Sequence, residues 1–192
     1  MAGSARYTAI LDACVLYPAP VRDLLLSLAQ AGLYHARWSD DIHDEWTRNL
    51  LRDRSDLTID QIMRTRDVMN TSIPDSIVSN YSALINMISL PDPTDRHVLA
   101  AAIAGHADAI VTFNLKDFPQ DVLHSYNIEA QHPDDFVLNQ LELNEIAALS
   151  AIRRMRARLR NPPKTASELI ERLSLSGLPQ TAARLRQAQE LI

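Results

Sequence analysis

Glycine is scarce in this chain, with four residues in 192. Neither GxxxxGK nor GxGxxG occurs, so a glycine-rich loop cradling nucleotide phosphates is excluded. The one cysteine, Cys14, excludes an intramolecular disulfide and any zinc site built from several thiolates. A reducing cytoplasm is the expected setting. Aromatic residues make up 5% of the chain, too few to expect an aromatic platform for stacked bases. No apolar run reaches the roughly 18 residues needed to span a bilayer. Nor does an apolar stretch follow Met1 to Arg6, as a secretory signal would require. No membrane partner is expected.

What is present suits one folded domain with an appendage. Hydrophobic residues reach 46%, enough for a core in a chain of this length. The net charge of −5 hides an asymmetry. Residues 151–192 carry nine basic and three acidic side chains, net +6, which leaves −11 on residues 1–150. An acidic body with a basic tail is a cue for an anionic partner. The alternative is a solvated basic helix lying on an acidic body.

Short apolar runs alternate with helical patterns. Residues 5–11 and 33–38 predict strands, and Ala109 to Thr112 and Ile128 to Ala130 predict two more. Between the first two, Val21, Leu24, Leu25 and Leu28 fall at helical spacing. Ser39 is a candidate N-cap, with Asp40 and Asp41 in the first turn and Ile42, Trp46 and Leu50 on one face. A helix is predicted around Ile59–Met69 and another near Tyr81–Ile88. Asp92 as N-cap, Pro93 at N1, Asp95 at N3 and Gly105 as stop define a further helix. This alternation predicts an α/β fold with a central parallel sheet. After a helix from about Asp134, residues 144–160 read as a helix whose Arg153, Arg156 and Arg160 share one side. A capping box at Thr165–Glu168 opens the next helix, and Gly177 and Pro179 punctuate a last one.

The chemistry lies in the carboxylates. Asp12 follows the first strand, and Asn114 and Asp117 follow the Ala109–Thr112 strand. Ligands of open parallel sheets bind beyond the carboxyl ends of the strands, so these side chains face one crevice if the two strands are neighbours. Asp95 heads the helix feeding the second strand, and Glu45 flanks the apolar stripe of its helix. Carboxylates gathered in one cleft rise in pKa or recruit a cation. Hard oxygen ligands suit Mg²⁺ or Mn²⁺. His43-Asp44 and His106-Ala107-Asp108 lack the further His and Asp spacing of an HD-type hydrolase. His97 reads as a polar residue packed beside an apolar helix face, and Cys14 as a small buried hydrophobe.

Four segments, in order, resemble the acidic motifs of PIN-domain nucleases. They are Leu11-Asp12-Ala13-Cys14-Val15-Leu16-Tyr17-Pro18, Asp44-Glu45-Trp46, the run Pro91 to Ala102, and Ile110 to Phe118. The likeness covers roughly residues 5–140 and is nearest to bacterial VapC-type toxins, the RNase halves of toxin–antitoxin pairs. It implies a three-layer sandwich over residues 1–140, with residues 141–192 as a helical, basic extension. It also implies metal-dependent hydrolysis of RNA phosphodiester bonds, with Asp12, Glu45 and Asp95 as core catalytic ligands. Asp92 and Asp117 join them as metal candidates, and Thr112 is an orienting hydroxyl. One departure concerns the fourth motif, where many members carry an aspartate after the threonine and this chain has Asn114. That departure leaves open a PIN-fold RNA- or protein-binding module with weak or lost catalysis.

The resemblance also implies a cognate antitoxin and a homodimer. RNA grip has to come from cations, for which Arg96, Arg153, Arg156 and Arg160 are the candidates. The tail could position RNA, dock the antitoxin or cover a sheet edge.

Overall fold

A computed structural model describes residues 7–192. Residues 5 and 6 of the expected first strand, and the stretch Met1 to Arg6 read for a leader, lie outside the described residues.

Five parallel strands form one sheet in the order β3-β2-β1-β4-β5: β1 (Thr8–Leu11), β2 (His35–Ser39), β3 (Ile77–Val78), β4 (Ala109–Val111) and β5 (Glu129–Gln131). Central strands covered on both faces read as unbroken apolar runs. Ala9, Ile10 and Leu11 of β1, and all three residues of β4, are fully buried. β1 and β4 pair directly, Leu11 opposite Val111. The chain winds outward through β2 and β3 on one side of β1 and through β4 and β5 on the other. The switch point of the sheet therefore lies between β1 and β4, where an open α/β sheet presents its crevice.

Helices flank the sheet. α1 (Ala13–Leu16) follows β1 directly and leads into α2 (Ala19–Gln30), which lies against β2. α3 (Asp40–Asp53) is capped by Ser39, whose Oγ accepts from the Ile42 N–H at 3.2 Å. Its Ile42 and Trp46 are fully buried. α4 (Ile59–Ser72) opens on a capping box formed by Thr58 and Gln61. The polar tips under this layer are satisfied inside the core. Trp46 Nε1 donates to His43 Nδ1 at 2.9 Å, His43 Nε2 meets Asn70 Oδ1 at 2.8 Å, and Trp38 Nε1 donates to that same oxygen at 2.9 Å. His43 is thus a core residue, and burial lowers its pKa.

Three expectations need correction. The segment from 74 to 90 holds the two-residue strand β3 before a single turn, α5 (Ser82–Ile85). A two-residue strand has no periodicity to read. Asp95 is not at N3 of a continuous helix. Pro93–Asp95 form a 3₁₀ turn capped by Asp92, and α6 (Arg96–Ala104) begins after it. The helix predicted over 144–160 is α9 (Glu145–Arg158), so Arg160 lies beyond it and does not share a side with Arg153 and Arg156. Asn161 precedes Pro162, and a proline disfavours helical backbone in the residue before it. The chain has already left the helix at Leu159.

The remaining elements are α7 (Gln120–His124), α8 (Pro133–Leu143), α10 (Ala166–Leu175) and α11 (Pro179–Gln187). α9 and α10 pack on α2, and α11 packs on α8. The main supports of the extension are helices of the body, where a sheet edge was one of the expectations. The turn between α10 and α11 also reaches the loop after β4. Gly177 has φ +91°, and a Cβ there would sit 2.8 Å from the Phe113 ring. Only glycine combines that backbone with that approach.

Candidate active site

Asp12 stands where β1 ends and α1 begins. It is 4% exposed, and both carboxylate oxygens are held. Oδ1 accepts from the Ala13 N–H at 2.6 Å, and Oδ2 from the Thr112 hydroxyl at 2.7 Å and the Cys14 thiol at 3.0 Å. Thr112, fully buried at the end of β4, accepts in turn from the Asn114 N–H at 3.0 Å. The Phe113 N–H donates to Cys14 Sγ at 3.2 Å. The first and fourth motifs are therefore laced together across the switch point. Cys14 is more than a packed hydrophobe, because its thiol helps aim Asp12. Burial, then the charge of Asp12, pushes that thiol's pKa up, so it stays a donor. Burial also raises Asp12, against the three hydrogen bonds that favour its charged form, and Glu45 adds to the rise.

Asp95 is the electrostatic centre of the cleft. The 3₁₀ turn leaves its carboxylate free of any capping bond. Its pKa is pushed up to about 7, first by burial and then by the charges of Asp12, Asp92, Asp117 and Glu45. The other four sequence-derived acids thus all act on Asp95. Asp92 differs, because the Thr94 N–H and hydroxyl hold it below its ordinary range, with Lys116 adding to the effect. Glu45, on α3, faces His97 Nε2 at 3.3 Å. Burial alone would lower His97, but the carboxylates of Glu45, Asp41 and Asp12 together outweigh it and the ring's pKa is raised. Sequence reasoning missed this pairing. His97 is two residues past Asp95, but nothing in the sequence says which side of α6 meets α3.

The raised acid has a consequence for stability. Between its ordinary value of 3.8 and about 7, the folded state keeps a proton on Asp95 that the unfolded chain releases. Protonation therefore favours the fold, and this contribution is lost as pH rises through that window. In metal-free buffer, Asp95→Asn is expected to gain thermal stability on the parent progressively from pH 4 to pH 7, and Mn²⁺ to narrow the difference. Melting curves of both proteins in EDTA check it; a constant difference would show that Asp95 is not perturbed.

Among the described residues, no three His, Cys, Asp or Glu side chains are drawn together as a ready-made metal shell. The donor set nevertheless fits Mg²⁺ or Mn²⁺. Such ions are held by one or two carboxylates plus water and substrate phosphate, without an all-protein cage. Asp12 and Asp95, with Glu45 acting on both, supply hard oxygens, and among the described residues neither aspartate is in an ion pair. Asp117 closes the 3₁₀ turn Leu115–Asp117 and reaches the group through its charge on Asp95. Asn114 is exposed, and its side-chain amide makes no hydrogen bond among the described residues.

The basic candidates are scattered. Arg96 follows Asp95 and forms no ion pair among the described residues, and its Nε is buried without a partner. Arg153 and Arg160 are exposed, and Arg156 Nη1 donates to the Lys164 carbonyl at 3.0 Å. Part of the tail's charge is neutralised by the protein's own acids, as in the Arg184–Glu145 and Lys164–Glu168 pairs.

The family model of the PIN domain matches residues 8–116, more than half of the chain. The chain belongs to the PIN-domain family. The matched span carries Asp12, Glu45, Asp92, Asp95, Thr112 and Asn114; Asp117 lies one residue past it. A second family model, the VapC50 C-terminal domain, matches residues 133–187, which takes in α8 and the extension as far as the end of α11. The Mycobacterium tuberculosis protein named "Putative ribonuclease VapC50" is 49% identical over 92 residues, covering 48% of this chain and 54% of that protein. The chain thus spans about half the length of the curated relative it matches. No solved structure matches the chain significantly. A PIN domain fits the five-stranded parallel sheet with flanking helices.

Proposed function

We propose that this PIN-domain protein is a Mg²⁺- or Mn²⁺-dependent endoribonuclease and the toxin of a toxin–antitoxin pair. The observation that carries this reading is the coupling of Asp12, Glu45, Asp92 and Asp117 to one perturbed acid, Asp95, at the switch point of the sheet. Asp12, Glu45 and Asp95 are the catalytic ligands, with Asp92 and Asp117 contributing to the metal site. Bound there, a divalent ion supplies Lewis acidity at the scissile phosphate and an activated water near neutral pH. The chain's own residues prepare that place. Ala13 N–H, Thr112 and Cys14 fix the Asp12 carboxylate, and His97 holds Glu45 from the side.

Hydrolysis of this kind leaves a 3′-hydroxyl and a 5′-phosphate. End-group analysis of cut RNA is the test: 5′-phosphate products are expected, and 2′,3′-cyclic phosphates would overturn the mechanism. The uncharged Asn114 favours a second reading, a PIN-fold binding module with weak or lost catalysis.

The same reading gives an antitoxin segment, carrying an arginine, a place over the acidic cleft. Homodimerisation is supported by Ile59 and Met63, which one face of α4 exposes at 60% and 40%. The body, residues 1–140, carries the chemistry and the extension, residues 141–192, braces it. The cytoplasm is the proposed setting. Among the described residues no helix is long and apolar enough to cross a membrane.

A further inference from the structure

A groove of about 530 Å³ opens beside the carboxylates, between α3 on one side and Thr94 of the 3₁₀ turn and His97 of α6 on the other. Glu45, Arg48, Asn49 and Arg52 form its α3 wall. They fall at i, i+3, i+4 and i+7, so they make one stripe along the helix, away from the stripe that buries Ile42 and Trp46. From Glu45 to Arg52 the stripe runs about 10 Å along the axis. It starts at Glu45, beside the cleft, and leads outward.

The charges of the groove are unequally engaged. Its acids already have partners on the protein. Arg66 holds Asp44 at 2.6 Å, the Tyr81 hydroxyl donates to Asp41 at 2.7 Å, and His97 faces Glu45. Arg48 is exposed and has no ion-pair or hydrogen-bond partner among the described residues. Arg52 is bound only to its sequence neighbour Asp53, in a pair with side chains 69% and 40% exposed. Exposed pairs of this kind are weak and readily exchanged. Asn49 adds an uncharged donor between the two arginines.

We infer that Arg48 and Arg52 form the phosphate track for the RNA strand flanking the cleaved bond. The inference rests on the ribonuclease reading. A strand whose scissile phosphate lies at Asp12 and Asp95 must leave the cleft past some wall, and this wall offers one cation without a partner among the described residues and a second in an exposed, exchangeable pair. Each phosphate contact asks for one such cation. The track also resolves how an acidic body grips a polyanion without the tail arginines, of which Arg156 is already committed to a carbonyl and Arg160 is off the helix.

The test is binding of a fluorescent single-stranded oligoribonucleotide by the full chain carrying Asp12→Asn, which blocks cutting, across a salt series with Mg²⁺ present. Adding Arg48→Gln and Arg52→Gln is expected to weaken binding at least about tenfold. It should also lower the slope of log affinity against log salt by about 1.4, roughly 0.7 per lost contact on a single strand. Arg153→Gln with Arg160→Gln is expected to leave the slope unchanged. Both α3 arginines are exposed, so equal melting temperatures verify that the variants fold. An unchanged slope in the α3 variant, with the wild type still cutting RNA, would overturn the track alone and make these cations a surface for an acidic protein partner. A wild type that neither cuts RNA nor, as Asp12→Asn, binds it would overturn the ribonuclease reading and the track together.

Discussion

Asp12→Asn is expected to leave a folded protein that melts no lower than the parent and cuts RNA at least about a hundredfold more slowly. Asparagine keeps the shape of the side chain and an oxygen for Thr112 or Ala13 to bond, so the lacing of β1 to β4 survives. What disappears is a buried negative charge that the Asp95 and Glu45 carboxylates repel. Removing it relieves the fold, while catalysis loses the anion that anchors a cation. Loss of stability and activity together would indicate a structural role. A rate within a few-fold of the parent would show that Asp12 is not in the active site.

Asp134→Ala is expected to cost about 3 kcal/mol and to lower the melting temperature by roughly 6–12 °C. Asp134 lies on α8, is 1% exposed, and receives two backbone N–H groups from the first turn of α11, Gln180 on Oδ2 at 2.9 Å and Thr181 on Oδ1 at 2.8 Å. α11 has no side-chain cap of its own. The carboxylate thus caps it from another helix, where the helix dipole favours a negative charge. Hydrogen bonds to an ionised acceptor are the stronger class, and the Thr181 N–H would be left buried without a partner. Amide exchange should accelerate first in α10 and α11, since α11 is the element that comes loose. A change under about 1 kcal/mol would show that the extension is held by its apolar face alone.

The order of these effects follows what the sequence could and could not say. β1 and β4 are legible because both are unbroken apolar runs followed by polar loops, and their pairing meets the condition under which Asp12 and the loop of Asn114 and Asp117 share one end of the sheet; the bond from Thr112 to Asp12 comes from the resemblance, not from spacing. Ser39, Thr165 and Gly105 end or begin helices where their chemistry requires. β3 was not legible, since two residues carry no period. Nor was the true start of α6: Asp92 and Pro93 predict a helix start, but the 3₁₀ turn that frees the Asp95 carboxylate depends on how α6 seats over β1 and β4. The roles of His97 and Cys14 leave no local signal, because each depends on a partner far away in the chain, Glu45 for one and the Thr112–Phe113 loop for the other. The same limit applies to the tail. Its basic charge was plain, but that Arg156 turns to the Lys164 carbonyl and that Asp134 caps α11 are matters of tertiary contact.

The measurement that bears most directly on the central reading is cleavage of single-stranded RNA by the purified chain with Mn²⁺ or Mg²⁺, matched against EDTA. Cutting that requires the ion, stops with chelator and returns when the ion is restored is the expected result. RNA cut equally well in EDTA, or left intact at every ion concentration, would contradict a metal-dependent nuclease built on Asp12, Glu45 and Asp95.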